Sequence, residues 1–343
     1  MIYNEITKTK EYPRAWVVEQ QIPIPKANPP SSIEDIRNIS ATPFFSKQYE
    51  SFISDWLLPI VDPFLDPGQC GGLKRSSISH YLVKLLHYIH YNLDRPKPHA
   101  VLLACVDMSK AFNRVSHQHV IEDLFHMKVP GWLLLIIISY LTNRKMMMKF
   151  RGILSALRSL PGSSPQGTVL GVILFIIYFN SAALRPEIPR QRWPFFSKNN
   201  YPTAIKMKFV DDLSIACKVN LNNDLVVDEE IPKPLTYDAR FGTVIDKSKN
   251  TLQQITDSIS EFCIKRQMKV NTCKSSVMKI SKSRTKSFSP DILINGDYLK
   301  QKSEMKILCI IVQNNLKWNS NTAKLCKKAY KNLWVIRRMK NLG

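Results

Sequence analysis

V101-L-L-A-C-V-D107-M-S-K-A-F112 ends six consecutive apolar residues on a carboxylate, and M207-K-F-V-D-D-L-S-I-A216 sets Asp211 and Asp212 between two short apolar segments. Runs of this length suit buried strands better than helices. Two such segments around an Asp-Asp pair read as a tight hairpin with the acids at its tip. If the strand ending at Asp107 lies beside that hairpin, three carboxylates meet at one sheet edge. Their oxygens suit Mg²⁺ or Mn²⁺ and not zinc. Two such ions, about 3.5–4 Å apart, activate a hydroxyl and stabilise a leaving phosphate together, the chemistry of nucleotidyl transfer. Taken singly, each half is an ordinary turn or cap. Their combination carries the reading.

Between the two clusters lies S163-S-P-Q-G-T-V-L-G-V-I-L-F175. The order D-x-S-x-A-F, S-P-Q-G-T-x-x-G, F-V-D-D resembles the reverse transcriptase domain of non-LTR (LINE-type, jockey-like) retrotransposons. Upstream, I22-P-I-P-K26, D35-I-R-N-I-S40 and Q69-C-G-G-L-K-R-S76 are similar to segments of that family. Downstream, so are M268-K-V-N-T-C-K-S-S-V-M278, M305-K-I-L-C-I-I-V312 and the tail L316-K-W-N to L333-W-V-I-R-R338. The similarity runs from about residue 13 to the C-terminus.

The resemblance implies an α+β right-hand polymerase: fingers, a palm with an antiparallel sheet backed by helices, and the start of a helical thumb. Residues 13–315 would be fingers and palm, 316–343 the thumb, and 1–12 are unassigned. It implies an RNA template, a DNA primer, a dNTP and two Mg²⁺ (or Mn²⁺) ions. Asp107 and Asp211, with the backbone carbonyl of Met108, would hold the metals, and Asp212 would tune or assist the site. Lys274 would protonate the leaving pyrophosphate as a general acid. Lys26 and Arg37 resemble the finger cations that clamp the triphosphate. Phe112 would lie under the sugar and exclude a 2′-hydroxyl, although a bare aromatic at such a position is ordinarily core. Gln166 and Gly167 would line the nascent base pair. Lys324, Lys327, Lys328, Lys331, Arg337 and Arg338 would grip phosphates from the thumb. Three positions depart from the family pattern: Asn113 for Asp, Arg75 where glycine is frequent, and Cys309 for the glycine of the primer grip.

Composition agrees. The 49 Lys and Arg exceed the 27 Asp and Glu, giving a net charge of +22 and an affinity for polyanions. At 44% hydrophobic residues, the 343-residue chain reads as a packed core and not a basic tail. The seven cysteines are scattered without a C-x-x-C pair, which points to a reducing, intracellular setting (cytoplasm or nucleus) and no zinc knuckle. Neither a signal peptide nor an apolar run long enough to span a bilayer is legible.

Apolar periodicity predicts helices over 76–93, 117–127, 131–141, 252–267 and 321–342, with a fully buried one over 168–179. A hairpin turning near Gly152 is expected, with strands over 275–280 and 306–312. Prolines predict an extended or looped segment over 1–32. Residues 184–206 and 220–250 read as surface insertions. The flanks imply a polymerase core without an endonuclease. Two other readings fit parts of the chain: a nucleic-acid-binding remnant that no longer polymerises, and a group II intron maturase.

Overall fold

The two apolar runs are adjacent strands of one sheet in the computed structural model, which describes residues 2–26, 29–74, 76–95, 99–160, 162–183, 202–220, 251–282 and 291–340. In chain order the elements begin with α1 (Ile2–Thr9), β1 (Val18–Pro25), β2 (Ile36–Ala41), α2 (Phe44–Val61), α3 (Ile78–Leu93) and β3 (His99–Val106). Next come α4 (His117–His126), α5 (Gly131–Leu141), β4 (Lys145–Phe150), β5 (Ile153–Leu154), β6 (Arg158–Ser159) and α6 (Val169–Tyr178). The hairpin of β7 (Ala204–Phe209) and β8 (Asp212–Asn220) precedes α7 (Thr251–Lys265) and β9 (Ser276–Ser281). Short strands β10 (Leu293–Ile294), β11 (Asp297–Tyr298) and β12 (Lys300–Gln301) lead to the hairpin β13 (Glu304–Ile307) and β14 (Ile310–Gln313), then to α8 (Asn319–Lys340).

The central sheet has the order β12-β9-β3-β8-β7. Its three inner pairings are antiparallel, and β12 alone joins in parallel at the edge. β3 lies in the middle and is buried on both faces, so its sequence is continuously apolar and does not alternate. Leu102, Ala104 and Val106 point into the larger core with Ile53, Leu124, Phe175 and Ile255. Val101 and Leu103 point the other way, onto Tyr81, Leu85 and Tyr88 of α3 and Met305 and Ile307 of β13. α3 starts where Ser77 caps it by accepting from the His80 N–H.

A second sheet, β2-β1-β4-β5 with β6 on β4, is built from residues before and after β3. β1 pairs with β4 only through Val18–Gln21, so Pro23 and Pro25 fall beyond that ladder, where their missing N–H groups break nothing on that side. The sheet is pinned by a fully buried ion pair between Glu19 and Arg144, 2.9 Å apart. Gln21 and Ser40 also donate to Glu19. Removing one member of such a pair typically costs about 3–5 kcal/mol, because the other charge stays buried.

Three expectations need correction. The N-terminal segment is not all extended: Ile2–Thr9 is helical, held by Ile6 in the core and by Tyr3 stacked on Tyr49. The 168–179 helix is not buried throughout, since Val169 in its first turn is 52% exposed. Ala204–Lys206 belong to β7 and not to a surface insertion, and Lys206 is buried. Residues 184–201 and 221–250 and Arg75 lie outside the described residues. The sequence reading also missed α2, whose Tyr49, Ile53, Leu57 and Val61 recur at helical spacing and are fully buried.

Candidate active site

Asp107 follows the last residue of β3, and Asp212 opens β8. The β3–β8 register pairs Val106 with Leu213, and one further step sets Asp107 opposite Asp212. Asp211 sits in the two-residue turn between Phe209 and Asp212. Asp107 is held from below: its N–H donates to Ser275 Oγ at 3.0 Å, and its carbonyl accepts from the Asn271 N–H at 2.8 Å. Ser109 N–H donates to the Lys269 carbonyl, completing a bridge between Met108 and Val270 that leaves the Met108 carbonyl out of both bonds. Asp107, Asp212, Ser214, Lys274 and Lys306 line one open cleft of about 140 Å³.

The electrostatics of this cleft are those of a cation site. Desolvation pushes all three carboxyls up from the ordinary aspartate value. The charge of Asp107 adds to this at Asp211, and those of Asp211 and Asp107 add at Asp212, which reaches about 6. Lys274 and Lys26 pull Asp107 back down, and Arg37 and Lys26 do the same for Asp211. A divalent cation relieves this repulsion, and hard oxygen donors match Mg²⁺ or Mn²⁺. Among the described residues no group of three or more His, Cys, Asp or Glu side chains forms a ready-made cage.

The turn that carries Asp211 is strained and strapped. Val210 has φ +60°, an uncommon conformation for a β-branched residue. Gln69 holds it: its buried side-chain oxygen accepts from the Val210 N–H at 3.1 Å and from the Gly71 N–H at 3.0 Å. Gly71 passes so close that a Cβ there would lie 2.6 Å from the Val210 nitrogen. The same segment extends the sheet edge, as Lys208 N–H donates to the Gly68 carbonyl and Cys70 N–H to that of Lys208. Beneath β7, Asp66 receives Lys206 and Lys208, both at 2.9 Å. Burial alone would raise Asp66, but the two ammonium groups hold it at about 2. Burial lowers Lys208 to about 8 in spite of Asp66. Sequence reasoning assigned no role to Gln69, Asp66 or Lys208. The adjacent glycines Gly71 and Gly72 were the available signal of a close backbone approach.

The remaining expected residues fall around this centre. Lys26 closes the β1–β2 connection, its N–H donating to the Asp35 carbonyl, and Arg37 lies on β2 opposite Ile24. Gln166 and Gly167 dock on the same strand: Ser40 N–H donates to the Gln166 carbonyl. Gly167 has φ +107° and a Cβ there would meet Ile39 at 3.1 Å, so this turn requires glycine. Phe112 is buried and stacks on Phe175 with ring centroids 4.5 Å apart, and its carbonyl accepts from Ser164 N–H. At the primer-grip position, the positive φ falls on Leu308 and not on Cys309, so the backbone makes no demand for glycine at 309. Asn113 is exposed, its N–H bonded to the Lys110 carbonyl. Lys324, Lys327, Lys328, Lys331, Arg337 and Arg338 are all exposed on α8, far along the chain from the carboxylates.

The profile of the family described as "Reverse transcriptase (RNA-dependent DNA polymerase)" matches residues 24–312. The chain belongs to this reverse transcriptase family. Relatives include the "Probable RNA-directed DNA polymerase from transposon BS" of Drosophila melanogaster, 23% identical over 99% of this chain and 34% of its own length. The "RNA-directed DNA polymerase from mobile element jockey" of Drosophila funebris is 22% identical over 95% of this chain and 32% of its own. The reverse transcriptase domain thus spans about a third of the length of the curated relatives it matches. Among solved structures, apo telomerase of Candida tropicalis truncated from its C-terminal domain superposes with a TM-score of 0.55 at 13% identity, over 92% of this chain and 58% of that one. That likeness gives the fold: an α+β right-hand polymerase.

Proposed function

We propose that this domain is an RNA-directed DNA polymerase that adds dNTPs to the 3′-hydroxyl of a DNA primer on an RNA template. The observation that carries the reading is the β3–β8 register, which brings Asp107 beside the Asp211–Asp212 turn. Asp107 and Asp211, with the Met108 carbonyl, are the groups that would hold two divalent ions. Such ions lower the pKa of the attacking hydroxyl and neutralise the departing pyrophosphate. Asp212 sets the charge of the site from the neighbouring position. Lys26 and Arg37 face the carboxylates from the second sheet and neutralise the triphosphate. Lys274, which lines the same cleft as Asp107, would give a proton to the pyrophosphate.

Residues 13–315 act as fingers and palm, and 316–343 as the start of the thumb. α8 is tied to the β13–β14 hairpin where Asn321 accepts from Ile311 N–H and Lys324 donates to the Cys309 carbonyl. Its exposed Lys324, Lys327, Lys328, Lys331, Arg337 and Arg338 grip the phosphates of the primer–template duplex. The seven cysteines are all free, which supports placement in the cytoplasm or nucleus. No described helix is long and apolar enough to cross a membrane.

Primer extension on a homopolymer RNA template tests the reading. Extension is expected only with Mg²⁺ or Mn²⁺, and Asp211→Asn should slow it by several orders of magnitude. Extension by Asp211→Asn at the parent rate would overturn the site assignment.

A further inference from the structure

The turn that carries Gln166 and Gly167 is braced from two sides. On one side β2 holds it, through the bond from Ser40 N–H to the Gln166 carbonyl and the close approach of Gly167 to Ile39. On the other it is anchored by residues 112–117, which follow the strand that ends at Asp107. Ser163 N–H donates to the Val115 carbonyl at 2.9 Å, and Ser164 N–H to the Phe112 carbonyl at 2.8 Å. The third anchor comes from a side chain: His117 Nε2 lies 2.7 Å from the Ser163 carbonyl oxygen. Ser163 is the residue that most needs holding. It is buried and has φ +113°, a backbone conformation that residues with a side chain rarely adopt and keep only when their surroundings impose it.

The local structure around His117 does not otherwise call for an imidazole. α4 begins at His117, but Ser116 caps it by accepting from the His119 N–H, so the helix start is secured without the ring. A carbonyl only accepts, so the bond to Ser163 requires the proton on Nε2. Burial, helped by the charge of Arg144, holds His117 below the ordinary histidine value in spite of the Ser163 carbonyl, which favours a neutral ring carrying that one proton. The two main-chain anchors form whatever the side chains are, whereas the third exists only while residue 117 offers a donor at the reach of Nε2. The side-chain nitrogen of glutamine has that reach, and that of asparagine stops near the position of Nδ1. Substitution at this one position therefore separates the anchor from the rest of the fold.

We infer that His117 is a positioning residue for the incoming nucleotide: by holding the Ser163 carbonyl it fixes the turn that presents Gln166 and Gly167, and so sets how tightly and how selectively a dNTP is held. This rests on the polymerase reading above. Single-turnover primer extension across dNTP concentrations, paired with hydrogen exchange of the 162–168 backbone, compares the parent with His117→Gln and His117→Asn. His117→Asn should weaken the apparent dNTP affinity about 5- to 150-fold, the range for losing one buried hydrogen bond, and lower the preference for the matched base. It should also speed exchange at Ser163 and Ser164. His117→Gln should stay close to the parent in both readouts, and all three proteins should bind primer–template equally. A role confined to packing or to the start of α4 would not distinguish the two amides. Equal behaviour of the two variants, impaired or not, therefore overturns the assignment while leaving the polymerase reading intact. A parent that extends no primer overturns the polymerase reading and with it the nucleotide role, and the exchange comparison still decides whether His117 holds the turn.

Discussion

The Gln69 strap is the sharpest test of how this fold positions Asp211. Gln69→Leu keeps the volume of the side chain and deletes the oxygen that receives the Val210 and Gly71 N–H groups. Two buried donors left without an acceptor cost about 1–3 kcal/mol each. Part of that returns as the turn relaxes, since Val210 at φ +60° stores on the order of 1–3 kcal/mol of strain. The net loss of stability should be about 1–3 kcal/mol, read as a lower urea midpoint with an unchanged slope. The catalytic loss should be larger. A relaxed turn moves Asp211, and a displacement of about 1 Å costs on the order of a hundredfold in rate. Single-turnover extension should therefore fall about a hundredfold with little change in apparent dNTP affinity. Val210→Gly supplies the control, because glycine adopts this φ without strain. In that background Gln69→Leu should cost less, with a coupling of about 1–2 kcal/mol in the double-mutant cycle. Additive losses, or a Gln69→Leu protein that extends primers at the parent rate, would refute the claim that Gln69 holds the turn.

Two further predictions address charge and sugar choice. Asp66→Asn leaves the ammonium groups of Lys206 and Lys208 buried without a carboxylate and should destabilise the fold by about 3–5 kcal/mol near neutral pH. With folded Lys208 at about 8, below its unfolded value, stability rises with pH above that point in the parent; without Asp66 the rise begins at lower pH. The gap between variant and parent should narrow as pH approaches 8, and urea midpoints across pH that stay parallel would exclude Lys208 as the cause. Phe112→Val should raise ribonucleotide over deoxyribonucleotide incorporation, about tenfold for each 1.4 kcal/mol of lost steric exclusion. An unchanged ratio would confine Phe112 to its stack on Phe175.

The parts of this molecule legible in sequence are those whose burial or turn geometry is local. β3 is apolar without interruption because both faces are covered, and α5 matches its apolar run over Gly131–Leu141. The meeting of the carboxylates was legible because strand pairing, and nothing finer, brings Asp107 to the Asp211–Asp212 turn. α1 was hidden because its helix depends on packing against α2, while the neighbouring prolines dominate the local signal. α2 was hidden by its aromatic content and by Pro59 inside it. The role of Gln69 was illegible because its hydrogen-bond partner Val210 is 141 residues away.

β7 shows why alternation alone misleads at a sheet edge. In A204-I-K-M-K-F209 the lysines alternate with apolar residues, the pattern of a strand with one face in water. Lys206 and Lys208 are nevertheless buried, and Lys208 also donates to the carbonyls of Phe179 and Asn180 beyond α6. The reason lies outside the strand. β7 is the edge of the central sheet, and the Gly68–Cys70 backbone pairs with it where water or another chain would otherwise bind. That same segment supplies Asp66 to neutralise the lysines and Gln69 to hold the turn at the end of the strand. Covering the edge, compensating the buried charge and fixing the turn that carries Asp211 are thus one structural event. A loop inserted between Asp66 and Gln69 would therefore disturb all three together, whereas β7 itself, read alone, records none of them.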